Sequence, residues 1–310
     1  MSRCRVVVLM DITVGVLALQ GAFLEHIVLL KRAAAFIATS ENIDSHRPRP
    51  SFNFIEVRTP EQLRLCDALV IPGGESTTIS LVAAESGILE PLRDFVKYER
   101  LHPLRDSQLT KTRCRRKPTW GTCAGLILLA ESANRTKKGG QELIGGLDVR
   151  VNRNHFGRQV ESFQANLDLP FLAEVQGLPR GMFPGVFIRA PIVERILPNM
   201  EGVQSGEQRI PETVVAPSRR VADDRARRAT SKDVRIMATL PGRLRRAEQK
   251  GALTAADDEA GDIVAVQQGN VFGISFHPEL TEDIRIHVWW LMQIWRKWRF
   301  ESRLGTEPDD

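Results

Sequence analysis

The pentapeptide GTCAG places Cys123 between a predicted strand and an apolar, helix-like run. Small residues two positions before and two positions after a nucleophile allow the backbone to turn sharply and lift the side chain clear of a sheet. Gly121 and Gly125 occupy these two positions. N–H groups at the start of the following helix favour the thiolate over the thiol. The pattern indicates a nucleophilic cysteine, although a buried structural thiol is compatible with the pentapeptide alone.

A nucleophilic thiol needs a base and a residue that orients the base. In the segment FGISFHPEL, His277 and Glu279 stand two residues apart, with Pro278 between them. Residues two apart in extended backbone point to the same face, so Glu279 can hold the imidazole of His277 toward a third group. The spacing predicts a Cys123–His277–Glu279 triad, whereas a histidine taken alone is more typical of the surface or the core.

A double glycine follows another predicted strand, in the segment VIPGGESTT. Gly73 and Gly74 can bring backbone N–H groups close to a developing oxyanion. A plain turn between a strand and a helix, with Ser76 as the helix cap, is a compatible alternative. Because neither glycine has a Cβ, the peptide between them can present its N–H or its C=O at little steric cost. We therefore expect a loop whose peptide can change orientation.

Strands alternate with helices in the first half of the chain. The predicted segments are a strand at 13–21, a helix at 23–37, a strand at 52–58, a strand at 68–71 and a helix that starts on Ser/Thr after the double glycine. This alternation predicts an α/β fold with a parallel or mixed sheet, helices on both faces and ligands at the carboxyl ends of the strands. The second half is richer in strands, with a hairpin turn at Gly269–Asn270. Residues 281–300 form an amphipathic pattern whose tryptophans are expected to pack in the core or on the surface.

The composition predicts a soluble globular protein, since 310 residues with 42% hydrophobic content can bury a substantial core. No segment reaches the roughly 20 uninterrupted apolar residues that a membrane span needs. The four cysteines have no C-x-x-C spacing and are too few for a disulfide framework, so a reducing, cytoplasmic setting is expected. Cys4, Cys66 and Cys114 are treated as ordinary thiols. The six histidines have no metal-ligand spacing, and no metal site is predicted.

The net charge of +5 is concentrated in two segments. Residues 217–250 hold eleven Lys/Arg against four Asp/Glu, and residues 99–117 hold seven against two. The rest of the chain is acidic, so the basic balance does not describe one continuous nucleic-acid surface. The two basic segments lack interleaved aromatic residues, which favours solvated loops over nucleic-acid binding.

Six segments together resemble the class I (triad-type) glutamine amidotransferases and, within them, the glutaminase subunits of pyridoxal 5′-phosphate synthases. They are GVLALQGAFLEH, LVIPGGESTT, WGTCAGLILLA, NRNHFGRQVESF, GVFIRAP and ISFHPELTED. GTCAG and FHPE are shared by many amidotransferases, whereas the combination of LQGAFLEH, FGRQVESF and FIRAP is typical of a much narrower group within them. The resemblance implies a flavodoxin-like three-layer sandwich, with a mixed, mostly parallel sheet and flanking helices.

The resemblance implies that Cys123 attacks the carboxamide of glutamine, that His277 acts as base and then acid, and that Glu279 orients His277. The products would be glutamate and ammonia, by way of a glutamyl thioester. The implied substrate contacts are Gly74, Glu75, Ser76, Arg158, Ile188 and Arg189. The implied oxyanion donors are Gly73, Gly74 and Ala124. No cofactor is expected.

The family's glutaminase passes ammonia to a synthase subunit, so the resemblance implies a hetero-oligomer and neither a membrane nor a nucleic acid as partner. LQGAFLEH is a candidate partner-facing segment or, equally, a plain first strand–helix unit. We expect low activity in the isolated chain and higher activity in the complex. The alternatives are a catalytically weak scaffold or regulatory subunit of the same complex, and another thiol hydrolase of the same fold.

The resemblance also predicts the domain organisation. A single glutaminase domain is expected over 12–300, with insertions at 40–51, 99–117 and about 200–260, and tails at 1–11 and 301–310. The window at about 200–260 has scattered charge, few aromatics and no sustained periodicity, which predicts a disordered or loosely ordered insertion.

Overall fold

The computed structural model describes residues 11–40, 50–97, 117–134, 141–153, 162–198, 203–217, 233–240 and 261–304. The strands of these residues are β1 (Asp11–Leu17), β2 (Ser51–Val57), β3 (Ala68–Ile71), β4 (Thr119–Thr122), β5 (Ala130–Asn134), β6 (Leu147–Asn152), β7 (Ser162–Leu167), β8 (Phe183–Ile188), β9 (Ile192–Ile196), β10 (Thr213–Val215), β11 (Arg235–Leu240), β12 (Asp262–Gln268) and β13 (Val271–Ile274). The helices are α1 (Phe23–Thr39), α2 (Pro60–Arg64), α3 (Ser76–Glu85), α4 (Leu89–Lys97), α5 (Ala124–Leu129), α6 (Val203–Gln208) and α7 (Arg285–Leu304), with 3-10 helices at Pro170–Glu174 and Pro278–Leu280.

One mixed sheet organises the described residues. Its strand order is β10-β5-β6-β9-β12-β13-β4-β3-β1-β2, and β11 pairs with β12 outside this path. The run β2-β1-β3-β4-β13 is parallel throughout, whereas β12 pairs antiparallel with β9, β11 and β13. β7 and β8 form a separate antiparallel pair. The predicted α/β fold with a mixed sheet is confirmed.

A hydrophobic core lies on each face of the sheet because successive strand residues point to opposite faces. In β3, Ala68 and Val70 belong to one core, and Leu69 and Ile71 belong to the other. The first core contains the buried faces of α1 and α7 and the β7–β8 pair. The second contains α3, α4 and α5. The result is the three-layer arrangement that the resemblance implied.

The carboxyl ends of β3, β4 and β13 meet at one edge of the sheet. Gly121 pairs with Ile71 on one side and with Gly273 on the other, and Thr122 pairs with Ile274. The next residues along each strand are those singled out from the sequence. The register of three short parallel strands therefore brings the double glycine, the cysteine and the histidine together.

Local predictions from the first and last thirds of the chain agree with the structure, with one difference. The turn at Gly269–Asn270 and the C-terminal helix are present, and Trp289, Trp290 and Trp295 of that helix are buried. The first strand, predicted at 13–21, ends at Leu17 because the chain then turns toward the double-glycine loop. No helix within the described ranges is long and apolar enough to cross a membrane.

The window at about 200–260 contains regular structure, so the prediction of a loosely ordered insertion is wrong for 203–217 and 233–240. It contributes α6, β10, which pairs with β5, and β11, which pairs with β12. Ala238 and Leu240 of β11 are buried in the core. These strands are short, and their few core-facing residues do not make a periodic pattern, so only pairing with distant strands defines them.

Parts of the other predicted insertions and tails lie outside the described residues. These parts are 41–49, 99–116, 1–10 and 305–310. β1 already begins at Asp11, which was predicted to belong to the first tail. α7 continues to Leu304, past the predicted domain end at residue 300.

Candidate active site

Cys123 stands on a strained turn between β4 and α5. Its φ of 48° and ψ of −101° lie in a region that non-glycine residues rarely adopt. The two flanking glycines make the turn possible: a Cβ on Gly121 would lie 2.5 Å from the carbonyl carbon of Gly125, and a Cβ on Gly125 would lie 2.1 Å from the Ile71 oxygen. The Cys123 N–H donates to the Ile274 carbonyl at 2.8 Å, which fixes the turn to β13.

His277 and Glu279 are paired as the spacing predicted. His277 Nδ1 lies 2.7 Å from Glu279 Oε1, and the Glu279 side chain has no exposed surface. The His277 N–H donates to the Val186 carbonyl at 2.8 Å, which ties the histidine to β8. Because Nδ1 is engaged by the carboxylate, Nε2 is the ring atom left for a third group.

The His277 ring also interacts with Cys123. Burial lowers the pKa of His277, but its hydrogen bonds with Cys123 and Glu279 outweigh burial and raise that pKa to about 10. Burial raises the pKa of Glu279, but the facing His26 and His277 hold it below its usual range. A protonated imidazole next to sulfur and an ionised carboxylate behind the imidazole are the charge states that thiol catalysis needs.

The double-glycine loop packs directly against the histidine. A Cβ on Gly73 would lie 2.2 Å from His277 Cε1, so a side chain at this position would displace the ring. The Gly73 carbonyl accepts from the Ala22 N–H at 3.2 Å, and the Glu75 N–H donates to Gln20 Oε1 at 2.8 Å. The segment LQGAFLEH thus holds the loop from the start of α1. A change in the orientation of the glycine peptide would have to break the contact with Ala22.

The cap of α3 differs from the expected one. Glu75, not Ser76, is the N-cap, and its carboxylate accepts from the N–H groups of Thr77 and Thr78 at 3.2 and 2.6 Å. Burial raises the pKa of Glu75, but hydrogen bonds from the Thr78 hydroxyl and from these two N–H groups more than offset burial and lower the pKa. The predicted substrate contact at Glu75 therefore has its side chain already committed to the helix. Its longer side chain reaches two N–H groups at once, which a serine cannot do.

Ser76 is buried, and Arg153 contacts it. Arg153 Nη2 donates to Ser76 Oγ at 2.9 Å and to Thr77 Oγ1 at 3.1 Å. Burial lowers the pKa of Arg153, and the nearby Glu75 opposes this shift. The sequence analysis did not single out Arg153, although it lies in the quoted segment NRNHFGRQ, from which Arg158 was predicted as a substrate contact. Arg158 lies outside the described residues.

The remaining predicted contacts come from the end of β8 and the start of α5. The Ile188 carbonyl lies 3.9 Å from Cys123 Sγ. Arg189 follows with a φ of 44°, which turns the chain at this point, and its side chain is exposed. Ala124 is the first residue of α5, so its N–H has no partner within the helix.

The other described thiol differs from Cys123. Cys66 is buried, and burial raises the pKa of its thiol to about 12, although Lys117 opposes this shift. Cys4 and Cys114 lie outside the described residues. Within the described part of the chain, no group of three or more His, Cys, Asp or Glu side chains could hold a metal ion.

Comparison with known proteins shows the family to which the chain belongs. The SNO glutamine amidotransferase family matches residues 16–222 and 233–296. The chain is 38% identical over 279 residues to the probable pyridoxal 5′-phosphate synthase subunit PDX2 of Arabidopsis thaliana. The aligned region covers 90% of this chain and 84% of the relative. It is 36% identical over 274 residues to the pyridoxal 5′-phosphate synthase subunit PdxT of Streptomyces griseus subsp. griseus, with 88% and 91% covered.

A solved structure is also similar. The crystal structure of a glutamine amidotransferase superposes with a TM-score of 0.52 at 34% identity, covering 91% of this chain and 98% of that one. The predicted fold and the predicted enzyme class are therefore confirmed. The family match covers most of the chain and includes Cys123, His277 and Glu279. The chain belongs to the SNO glutamine amidotransferase family.

Proposed function

We propose that this chain hydrolyses L-glutamine to L-glutamate and ammonia on Cys123 and delivers the ammonia to a pyridoxal 5′-phosphate synthase subunit. One observation carries the proposal: a cysteine on a strained turn and a His277–Glu279 pair lie at the ends of two hydrogen-bonded parallel strands. The names of the relatives as pyridoxal 5′-phosphate synthase subunits support the ammonia acceptor.

In the proposed reaction, Cys123 sulfur attacks the carboxamide carbon of glutamine, and its proton resides on His277. The tetrahedral intermediate carries an oxyanion, for which the N–H groups of Gly74 and Ala124 are the proposed donors. His277 then protonates the leaving amine, and ammonia departs. A water molecule, activated by the neutral imidazole, cleaves the thioester and releases glutamate. Glu279 keeps the ring oriented and stabilises its positive charge.

Recognition of an amino acid needs a cation for its α-carboxylate. Arg153 is a buried guanidinium beside Ser76, and its Nη2 donates hydrogen bonds to two hydroxyl groups. A guanidinium bound to hydroxyls can exchange them for a carboxylate at a gain, because a carboxylate adds the attraction of an opposite charge and can accept two parallel N–H bonds. We assign this role to Arg153. The other proposed contacts are Gly74, Glu75, Ser76, Ile188 and Arg189. Arg158, which lies outside the described residues, stays a predicted contact.

The test compares two buried cysteines. Cys123→Ala should abolish glutamate production and modification by a glutamine-like electrophile, while Cys66→Ala, the matched control, should retain both. Circular dichroism should show that both variants are folded. Equal activity of Cys123→Ala and the wild type would exclude a thioester intermediate on Cys123. Absence of turnover by the wild type in the complex would favour the alternative of a scaffold subunit.

The synthase subunit is proposed to dock on the outer face of α1. Leu24 and Val28 lie one turn apart on this face and are 54% and 55% exposed, and Leu280 on the adjacent 3-10 helix is 44% exposed. Leu24 is two residues beyond Ala22, whose N–H donates to the Gly73 carbonyl of the double-glycine loop. Contact of a partner with this face can select one orientation of the Gly73–Gly74 peptide. Only the orientation that points the N–H into the site supplies the proposed oxyanion donor, and losing one such donor costs about 100- to 1,000-fold in rate.

This docking is tested by titrating the synthase subunit at saturating glutamine. Glutamate production should rise until the complex is saturated. Leu24→Glu should weaken the rise without changing the basal rate, whereas Leu65→Glu, at another exposed leucine on the end of α2, should behave as the wild type. A rate that stays flat through saturation would exclude partner gating and leave the Cys123 chemistry intact.

A further inference from the structure

His26 lies in a buried polar cluster directly behind the triad. It belongs to α1 and has no exposed surface. Its Nε2 lies 3.3 Å from Glu279 Oε2 and 3.2 Å from Thr122 Oγ1, and its Nδ1 lies 3.2 Å from His287 Nε2. His287 of α7 is also fully buried. The reaction proposed above uses neither histidine.

Glu279 is a buried carboxylate whose two oxygens both need compensation. Oε1 accepts from His277 Nδ1. Oε2 has no well-aligned hydrogen bond among the described residues, and His26 Nε2 is the nitrogen that faces it. A buried anion is costly unless it is paired, because the interior cannot replace its hydration. His26 is therefore placed to compensate the oxygen that His277 leaves free.

The contacts define which nitrogen of each ring carries the proton. If His26 Nε2 were unprotonated, its lone pair would face the carboxylate, so we assign the hydrogen to Nε2, where it faces both Glu279 Oε2 and Thr122 Oγ1. His26 Nδ1 is then an acceptor, and His287 Nε2 must donate to it. His287 Nδ1 is left without a hydrogen, which agrees with its having no hydrogen-bond partner among the described residues. One consistent set of tautomers thus runs from α7 through α1 to the triad.

Resting on the proposed glutaminase function, we propose that His26 is a positioning residue for this reaction. Its Nε2–H holds the second oxygen of Glu279 ionised and in place, so that Glu279 keeps His277 directed at Cys123. His287 fixes the tautomer of His26 from behind.

The electrostatics agree with this arrangement. Burial lowers the pKa of both His26 and His287, so each ring is neutral at neutral pH and has one N–H. The other charged groups that act on His26 are Glu279 and Glu25, which raise its pKa, and His277, which lowers it. Burial still outweighs Glu279 and Glu25, which keeps the cluster free of a second positive charge.

Two substitutions of similar size separate the donor from the packing. His26→Gln keeps an N–H at the position of Nε2, and His26→Leu removes it. Without the donor, the pKa of Glu279 rises, so glutamate production should be lost at higher pH as the solution is acidified. We expect the acid limb of kcat to move up by about one pH unit in His26→Leu, because the N–H that faces the carboxylate at 3.3 Å is lost. KM should stay within about twofold because His26 does not touch the substrate contacts.

The control for loosened packing is Leu30→Val, one turn further along the buried face of α1. His26→Gln and Leu30→Val should keep the wild-type pH profile. A wild-type profile for His26→Leu, or equal displacement in all three variants, would overturn the proposal. Wild-type and Cys123→Ala proteins assayed in parallel report on the glutaminase function itself, so its failure is recognised separately.

A second measurement does not depend on the variants folding or on turnover. In the full-length protein labelled with ¹⁵N-histidine, the imidazole nitrogens should show His26 and His287 as neutral rings protonated on Nε2 at pH 7. The signals are assigned with His26→Gln and His287→Gln. A His26 ring protonated on Nδ1 would refute the proposed donor to Glu279, whatever the kinetics.

Discussion

Replacing Gly125 with alanine sets helix propensity against packing at the turn that holds Cys123. Gly125 lies in α5, where alanine is normally favoured over glycine by about 0.5–1 kcal/mol. The added Cβ would lie 2.1 Å from the Ile71 oxygen and 3.0 Å from its carbonyl carbon, whereas ordinary contact begins at 3.4 Å. The helix and β3 must therefore separate by about 1 Å in a close-packed interior. Overpacking of this kind costs about 1–3 kcal/mol, so packing prevails over propensity.

The effect on catalysis should exceed the effect on stability. Cys123 lies two residues before Gly125, and a displacement of about 1 Å in reacting groups can cost about 100-fold in rate. We expect Gly125→Ala to lower kcat by about that factor and the free energy of unfolding by about 1–3 kcal/mol, measured by glutamate production and denaturant titration. The matched control is Gly206→Ala in α6, where a Cβ meets nothing within 4 Å, so a small gain in stability and unchanged kcat are expected. If Gly125→Ala behaved like Gly206→Ala, the steric reasoning would be refuted.

Three further predictions concern the triad, the thiols and the sheet. His277 has a pKa of about 10 in the folded protein, against an ordinary value of 6.5. Its stabilising contribution should therefore be complete below pH 6.5 and be lost as the pH rises through about 10. The difference in unfolding free energy between the wild type and His277→Asn should shrink over this interval, and a constant difference would contradict the prediction. A thiol reagent at pH 8 should label Cys123 and spare Cys66, whose pKa is about 12, until the protein is unfolded, as peptide mapping can check. Replacing Arg235–Leu240 with a Gly/Ser linker of equal length should lower the free energy of unfolding by about 2–5 kcal/mol, because buried Ala238 and Leu240 are lost. Unchanged stability would mean that this strand is a dispensable insertion and not part of the core.

The parts of the site that could be predicted from the sequence are those defined over short distances along the chain. The spacing of Gly121, Cys123 and Gly125 defines a turn, and that of His277 and Glu279 defines a pair, each within five residues. The general rule for α/β sheets then places both at the same edge without any knowledge of register. Local pattern and fold class together were sufficient to predict that Cys123 and the His277–Glu279 pair lie at one edge of the sheet.

The parts that were missed depend on contacts between distant segments. Arg153 reaches Ser76 across 77 residues, and His26 reaches His287 across 261. A signal existed for His26, since it occupies the apolar face of α1 with Ile27 and Leu30, where a histidine must find a partner. For β11, propensity carries little information because pairing with β12 defines the strand.

The start of α1 connects three features of the structure: the exposed pair Leu24 and Val28, the contact of Ala22 with the double-glycine loop, and the contact of His26 with Glu279. These contacts do not respond equally to a partner. The inner face of α1 is anchored in the core, so moving the whole helix would disturb close packing at high cost. Before the helix, Gly21 has a φ of 99°, and a Cβ there would lie 1.8 Å from the Gly73 oxygen. Movement at this glycine needs no repacking of the core. We therefore expect partner binding to change the orientation of the double-glycine loop through the residues just before α1, while the histidine cluster behind Glu279 stays fixed.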